Sequence, residues 1–250
     1  MKIYLAGDGS DIKYKFQKQY TPYILDSFYL FNKGDGRRKI QYVEDWDRDR
    51  FLLDSGAFTF MNGSHKGKVD FTEYNKRYGE FIKRYGITQF FELDVDSIVG
   101  YEKVKSMRRE LERITGRQPI PVWHISRGKE DFKSSCKDYP YVAIGGIVTK
   151  EFRPEKYQYF PWFIDTAHEA GARIHGLGYT SFEGLRKYHF DSVDSTSWLA
   201  GSRFGFVYKF NGESIIKYDV PEGKRLSARA GAVNNLIEWI KYQKYAERHL

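Results

Sequence analysis

Eight short apolar runs recur along the chain, and each has the length of a buried β-strand. An apolar run of about four to eight residues between polar or glycine-bearing stretches is typical of a strand covered on both sides. We therefore predict strands at 2–7, 23–30, 51–56, 89–95, 120–125, 141–146, 173–178 and 191–196.

Apolar residues at helical spacing separate several of these runs. Behind a candidate N-cap at Asp70, aromatic and aliphatic residues recur at intervals of three and four over 71–82, and a second such pattern covers 104–114. Two further helices are predicted at 157–170 and 182–188. Strands with helical returns predict an α/β chain folded as a (β/α)8 TIM barrel. Because the early connections are irregular, a doubly wound parallel sheet stays open as the alternative.

The pattern changes after the last barrel strand. Two strand-like runs, 206–210 and 215–218, flank an Asn-Gly turn and predict a hairpin, and 227–248 reads as a last helix. No linker, internal repeat or low-complexity segment interrupts the 250 residues. We therefore expect a single domain, with the barrel over about 1–200 and a small hairpin-plus-helix appendage over about 201–250.

The charge balance points to a polyanionic partner. Lys and Arg number 41 against 33 Asp and Glu, which gives a net charge of +8 and favours nucleic acid first. Arg108 and Arg109 lie on a basic helix and Arg203 follows the last barrel strand, so these three are candidate phosphate contacts. Lys224 and Arg225 form part of a second basic cluster. Such runs are also typical of solvated helix faces, and that alternative stays open.

Cysteine usage and hydropathy bear on the compartment. Cys136 is the only cysteine, so an intrachain disulfide and a multi-cysteine zinc site are both excluded, and a reducing cytoplasm is favoured. The first residues turn polar too soon for a signal peptide, and no run of about 18 apolar residues is present to span a membrane. We expect a cytoplasmic protein without a membrane partner; the sequence does not indicate its oligomeric state.

The chemistry-bearing residues stand at the predicted strand ends. In a TIM barrel the catalytic groups lie at the carboxyl ends of the strands. Those ends carry Asp54 with Ser55, Asp94, His124 with Arg127, Gly145-Gly146, His175-Gly176, and Asp191 with Asp194. Two carboxylates with separate roles suit substitution at an anomeric carbon, where one attacks the carbon and the other moves protons. The same acidic and histidine side chains could instead hold a divalent metal, although no His-x-His or Glu-x-x-His pattern strengthens that reading.

Taken in order, these strand ends resemble the motifs of the tRNA-guanine transglycosylase family. Asp54-Ser55-Gly56-Ala57-Phe58-Thr59 resembles that family's Asp-Ser-Gly-Gly-Tyr/Phe-Gln, and Phe91-Glu92-Leu93-Asp94 falls where the family has Phe-Asp-Glu. Ala143-Ile144-Gly145-Gly146-Ile147 resembles Val-Gly-Gly-Leu, His175-Gly176-Leu177-Gly178 resembles Met-Gly-Val-Gly, and Asp191-Ser192-Val193-Asp194-Ser195 resembles Asp-Met-Phe-Asp-Cys. The motifs occur in family order and span residues 2 to about 198.

The resemblance implies a barrel that exchanges a base through a covalent intermediate. We expect neither a cofactor nor a metal in this chain. It implies that Asp194 is the nucleophile, that Asp54 moves protons and that Phe58 stacks on the base. Asp94 would then pair with the donors of the guanine edge, a contact that an acceptor-only carboxylate can make. The other residues that we assign to the substrate site are Ser55, Arg127, Gly145, Gly146, His175, Gly176 and Asp191.

Two departures from the family's pattern bear on which polymer and which base the chain would use. The family's tRNA enzymes carry a zinc site of three cysteines and a histidine, which a chain with one cysteine cannot form. Arg127 stands where the family has a base-recognising Gln. The chain is most similar to compact, zinc-free, phage-encoded DNA transglycosylases, which implies exchange of guanine in DNA for a 7-deazaguanine such as preQ0, in the host cytoplasm. The same chemistry on tRNA, a metal-dependent barrel hydrolase and a non-catalytic nucleic-acid-binding barrel are the alternatives.

Overall fold

The computed structural model describes residues 1–7, 10–32, 37–62, 69–221 and 227–250. Its parallel strands are β1 (Lys2–Leu5), β2 (Ile24–Ser27), β3 (Phe51–Asp54), β4 (Val122–Trp123), β5 (Tyr141–Ile144), β6 (Arg173–Gly176) and β7 (Ser192–Ser195). They pair in the order β3-β2-β1-β7-β6-β5-β4. The Lys224 and Arg225 cluster lies outside the described residues.

An eighth extended segment, at 89–93, joins the two ends of this sheet. It forms parallel bridges from Leu53 to Phe90 on one side and from Phe91 to Ile120 on the other. The Leu53 amide donates to the Gln89 carbonyl at 3.0 Å, and the Ile120 amide donates to the Phe90 carbonyl at 2.8 Å. The sheet therefore curls into a ring with its segments in chain order, which confirms the TIM barrel and excludes the doubly wound sheet.

Helices cover the outside of the barrel and supply most of its connections. They are α1 (Ser10–Tyr20), α2 (Phe28–Asn32), α3 (Arg37–Asp45), α4 (Ala57–Asn62), α5 (Phe71–Tyr85), α6 (Asp96–Val99), α7 (Tyr101–Thr115), α8 (Gly128–Asp138), α9 (Phe160–Glu169), α10 (Phe182–Lys187), α11 (Ala200–Phe204) and α12 (Ala228–His249). The predicted cap of α5 is confirmed, because the Asp70 carboxylate accepts from the Thr72 and Glu73 amides. Within the described residues, none of the helices combines the length and the apolar character that a membrane span requires.

Side-chain alternation along the strands separates the core into two layers. Ile3 and Leu5 of β1 pack outward against the helices, whereas Tyr4 packs inside the barrel. Successive side chains of a strand point to opposite sides, so the residue two positions after an inward one also points inward. Leu52 of β3 packs inside. Asp54, two positions further on, therefore carries its carboxylate into the open end of the barrel.

The predicted C-terminal hairpin and helix are both present. Strand β8 (Phe206–Phe210) pairs antiparallel with β9 (Ile215–Asp219), and the Phe210 amide donates to the Glu238 carboxylate of α12 at 2.7 Å. The helix does more than extend the hairpin, because Leu236 and Trp239 lie in the same apolar cluster as Ile3 of β1. Helix α12 is thus part of the barrel wall.

Gln243 of α12 ties that wall to the amino ends of the first two strands. Its amide oxygen accepts from the Tyr23 amide at 3.1 Å, and its Nε2 donates to the carbonyls of Ile3 at 2.5 Å and Tyr23 at 2.6 Å. The side chain is buried. Its removal would leave backbone groups without partners at a place that water does not reach freely, and such groups are costly.

We expect Gln243→Ala to lower the free energy of unfolding by about 2–4 kcal/mol, because it orphans buried backbone groups. Urea unfolding followed by circular dichroism measures the change. The matched control is Gln158→Ala, at an exposed position, which should stay within about 0.5 kcal/mol of the parent chain. Equal effects of the two substitutions would contradict the role given to Gln243.

Candidate active site

A cavity of about 440 Å³ opens at the carboxyl ends of the strands. The ionisable side chains that line it are those of Asp26, Asp54, Asp94, His124 and Asp194, and the turns at Gly146 and Gly178 line it as well. Phe58 and Val148 also line it and remain exposed, Phe58 by 49%. The structure therefore brings Asp54, Asp94, Asp194, Gly146 and Phe58 of the predicted site together at one mouth.

Asp54 holds a proton that can be exchanged near neutral pH. Burial raises the pKa of its carboxyl, the charges of Asp94 and Asp194 raise it further, and the hydrogen bond from the Gly56 amide only partly opposes them, so that the pKa is about 7. The Gly56 amide donates to Oδ2 at 2.8 Å. This contact fixes the carboxyl at the start of the turn that follows β3. A carboxyl with this pKa suits proton transfer in both directions.

Asp194 is held by two donors on the same oxygen. Its Oδ1 accepts from the Gly178 amide at 2.5 Å and lies 3.2 Å from Nε2 of His175. Gly178 has φ +73°, in the left-handed region that favours glycine, and a Cβ there would come within 2.2 Å of Val148. A buried carboxylate with a backbone amide and an imidazole on one oxygen is oriented toward the cavity before any ligand arrives.

Asp94 forms the opposite side of the cavity, where it contacts His124, and His124 in turn contacts Glu151. Asp94 Oδ2 lies 3.0 Å from His124 Nε2, and Glu151 Oε2 lies 3.2 Å from His124 Nδ1. Burial alone would lower the pKa of His124, but the hydrogen bonds with Asp94 and Glu151 and the Asp94 charge raise it to about 10. His124 is therefore protonated at neutral pH. A second cavity, of about 430 Å³, adjoins the first across Asp94 and His124.

These contacts add His124 and Glu151, which are not among the predicted site residues. His124 had no assigned function, although its position at a strand end was a usable signal. Glu151 lies in the loop after β5, five residues beyond Gly146, and no periodic pattern marks it. Burial raises the pKa of the Asp94 carboxyl, and the contact with His124 opposes that rise.

A buried ion cluster behind Asp94 engages two of the predicted site residues, Arg127 and Arg108. Glu92 accepts from Arg108 Nε at 2.6 Å and from an Arg127 guanidinium nitrogen at 2.9 Å, and Arg127 also donates twice to Asp96, at 2.9 and 2.7 Å. The Arg127 side chain is only 1% exposed. Carboxylates of the protein therefore engage the Arg127 guanidinium, and Arg127 lines the second cavity rather than the one that Asp54 and Asp194 share. Arg108 is likewise buried, so the predicted phosphate contact is wrong.

Three small residues of the predicted site support the mouth from behind. Ser55 is fully buried, and its hydroxyl accepts from the Ala57 amide at 3.4 Å. Gly145 makes room for His124, because a Cβ there would lie 2.9 Å from Cε1 of that ring. Gly176 is buried at the end of β6. None of the three lines the cavity, so their assignment to direct substrate contact is corrected.

Asp191 lies at the other end of the barrel. Strand β7 begins at Ser192, so Asp191 precedes the strand, whereas Asp194 stands near its carboxyl end. The Asp191 carboxylate accepts from the Ile174 amide at 2.7 Å and lies 3.0 Å from His168 Nε2. Its predicted contact with substrate is therefore wrong.

Two predicted phosphate contacts remain, Arg109 and Arg203. Arg109 is exposed on α7. This helix follows the ring segment at 89–93 and runs back along the outer wall of the barrel. The Arg203 side chain lies outside the described part of the chain.

Among the described residues, no group of three or more His, Cys, Asp or Glu side chains is arranged to hold a metal ion.

Comparison with known proteins supports the fold. No family model matches the chain, and no curated protein matches it. A solved structure provisionally assigned as a fructose-1,6-biphosphate aldolase from Coccidioides immitis is similar, with 13% identity, a TM-score of 0.55, and coverage of 98% of this chain and 91% of that chain. CitE from Mycobacterium tuberculosis, with magnesium, acetoacetate and coenzyme A, gives 11% identity and a TM-score of 0.46 over 96% and 98%. The first likeness bears on the fold alone, and the second is too distant to carry an argument.

Two neighbouring arginines test the ion cluster. Arg108→Met should lower the free energy of unfolding by about 3–5 kcal/mol, because it removes a partner of the buried Glu92 carboxylate. Arg109→Met, one residue further on the exposed face, should change it by no more than about 0.5 kcal/mol. Chemical denaturation of the two variants gives the comparison. A destabilisation by Arg109→Met as large as that by Arg108→Met would refute the placement.

Ionisation of the Asp54 carboxyl should also make the free energy of unfolding depend on pH. Its pKa is about 7 in the folded chain and about 4 in an unfolded one. The unfolded chain thus releases a proton that the folded chain keeps, and stability from this group falls as pH rises from about 4 to about 7. Asp54→Asn, which cannot ionise, should gain stability relative to the parent over this interval and hold a constant difference above it. Urea unfolding at a series of pH values measures this difference; a pH-independent difference would contradict the raised pKa.

Proposed function

We propose that this chain exchanges guanine in DNA for a 7-deazaguanine, through an ester between C1′ of the nucleotide and Asp194. One observation carries the proposal: an oriented carboxylate, Asp194, and a carboxyl with a pKa of about 7, Asp54, line the same cavity. Base exchange needs these two kinds of carboxyl, one to attack carbon and one to move a proton.

In the first step a carboxylate oxygen of Asp194 bonds to C1′ while the C1′–N9 bond breaks. The electron pair of that bond leaves with guanine, and the proton of Asp54 neutralises the departing base. The products are a glycosyl ester on Asp194, free guanine and an ionised Asp54.

In the second step the incoming 7-deazaguanine gives its N9 proton to Asp54. Its N9 electron pair bonds to C1′, and the C1′–oxygen bond returns its pair to Asp194. Two inversions leave the configuration at C1′ retained. Asp54 begins and ends the cycle protonated, which a pKa near neutrality supports.

Asp94 and Phe58 suit recognition of the base. Guanine and its 7-deaza analogues present N1–H and an exocyclic amine on one edge, both donors, and a carboxylate offers only acceptors. Asp94 lines the cavity with one oxygen held by the protonated His124. Phe58 is half exposed at the rim, and in this proposal its ring stacks on a base that has left its helix.

Charge and cysteine content support DNA as the polymer. The net charge of +8 favours a nucleic acid, and the single cysteine separates the chain from tRNA enzymes that need a cysteine-rich zinc site. Attack at C1′ requires a target nucleotide that is extruded from its stack or already single-stranded.

The decisive assay follows release of radiolabelled guanine from DNA in the presence of unlabelled preQ0. Asp194→Asn should lower release by more than about a thousandfold, because it removes the nucleophile. Asp54→Asn should lower it by about 100- to 10,000-fold, because it cannot supply a proton. Mass spectrometry of the denatured reaction should detect the DNA–protein ester with the parent chain but not with Asp194→Asn.

Asp191→Asn is the matched control, because Asp191 is on the same stretch of chain but at the far end of the barrel, and it should keep release near the parent level. Release by Asp194→Asn close to that of the parent would overturn the mechanism. Release from labelled tRNA alone would keep the chemistry and replace the polymer. Loss of release on adding a strong chelator would favour the metal-dependent alternative.

A further inference from the structure

A buried chain of hydrogen-bonding groups leads from Asp194 into the interior of the barrel. Nε2 of His175 lies 3.2 Å from Asp194 Oδ1, and Nδ1 of the same ring lies 2.5 Å from the Ser192 hydroxyl. The Ser192 hydroxyl in turn contacts the Tyr141 hydroxyl. These four side chains come from β5, β6 and β7, and they run beneath the mouth.

His175 is buried among aromatic rings, so its contact with Asp194 is one of the few polar contacts that its ring makes. The ring is 0% exposed and is enclosed by aromatic rings, with centroids at 6.1 Å for Tyr4, 5.2 Å for Phe91 and 6.4 Å for Tyr141. An imidazole in such a place is costly to bury unless both nitrogens have partners. Here one nitrogen meets a hydroxyl and the other meets the carboxylate that we assign as nucleophile.

The hydroxyls set the direction in which protons are donated. Burial raises the pKa of Tyr141 to about 12, so the phenol keeps its proton at neutral pH. Among the described residues the Tyr141 hydroxyl has no acceptor other than Ser192, so it donates there. The Ser192 proton is then free to point at Nδ1 of His175, which accepts it. The proton of a neutral His175 must then be on Nε2, where it is donated to Asp194.

We infer that His175 is a positioning residue for Asp194, held by Tyr141 and Ser192 as the neutral tautomer with its proton on Nε2. The inference rests on the proposed function for its catalytic consequence. Both the His175 and Gly178 donors engage Oδ1, and among the described residues no hydrogen bond reaches Oδ2. Oδ2 is therefore the oxygen that bonds to C1′. When the ester breaks down, the charge that returns to Asp194 meets two donors already in place.

Two substitutions at His175 test donation from Nε2. His175→Leu fills the aromatic enclosure without a donor and should lower the rate of ester formation by about 10- to 100-fold, the range for a hydrogen bond to a charged group. His175→Gln can place an N–H close to Oδ1 and should recover most of that rate. The loss should appear in kcat, with KM for the 7-deazaguanine unchanged, because His175 does not line the cavity.

Two serines on β7 provide a matched pair. Ser192→Ala removes the group that holds Nδ1 and should lower kcat by about tenfold. Ser195→Ala should leave kcat unchanged, because Ser195 is buried on the other side of the strand, where its hydroxyl accepts from the Ser197 amide at 3.0 Å. Full activity of His175→Leu, or equal loss in folded His175→Leu and His175→Gln, would overturn the inference.

A spectroscopic measurement separates failure of this inference from failure of the proposed function. In protein labelled with nitrogen-15 at histidine, the His175 signals, assigned by their loss in His175→Gln, should show a neutral ring with its proton on Nε2 at neutral pH. A ring protonated on Nδ1, or on both nitrogens, would overturn the inference whatever the activity. A neutral ring with its proton on Nε2, in a protein that exchanges no base, would support the hydrogen-bond chain and contradict the proposed transglycosylase activity.

Discussion

The closure of the ring between β3 and β4 is the constraint on which the mouth depends. Among the described residues, short parallel pairings at Phe90 and Phe91 join the two ends of the sheet there. Without them Asp54 and Asp94 would lie at one edge of an open sheet, far from Asp194 in the chain and in space. With the ring closed, every strand end meets the same rim, and alternation along each strand decides which side chains face inward. The electrostatics of the site follow from that geometry.

Crowding carboxyl groups in a buried mouth is unfavourable unless each is stabilised differently. Asp54 keeps its proton near neutral pH because burial and two neighbouring charges disfavour ionisation. Asp94 shares a contact with a protonated imidazole, His124. Asp194 accepts from a backbone amide and a buried imidazole. Three chemically identical side chains thereby acquire three different environments, and such differences are how acid, base and nucleophile are separated within one site.

The barrel and its principal carboxylates could be predicted from the sequence, but the contacts that surround those carboxylates could not. Apolar runs located all eight ring segments, and strand-end position located Asp54, Asp94 and Asp194. The apolar pattern could not distinguish Asp191 from Asp194, because a strand boundary inferred from sequence is uncertain by about as many residues as separate these two aspartates. Arg108 shows a signal that was available and unused: it follows Val104 by four residues and precedes Leu111 by three, on the buried face of α7. The His124–Glu151 contact joins a strand end to a loop, and nothing local in the sequence encodes it.

The loop after β5 touches both sides of the mouth. Val148 lies so close to Gly178 that a Cβ there would come within 2.2 Å, and three residues further on Glu151 reaches His124. The Gly178 amide orients Asp194, while His124 holds Asp94. A single short segment is therefore braced between the acidic groups on opposite walls. A change in shape at one wall therefore displaces this brace, and with it the groups that orient the carboxylate of the opposite wall, so the two walls of the mouth are mechanically linked.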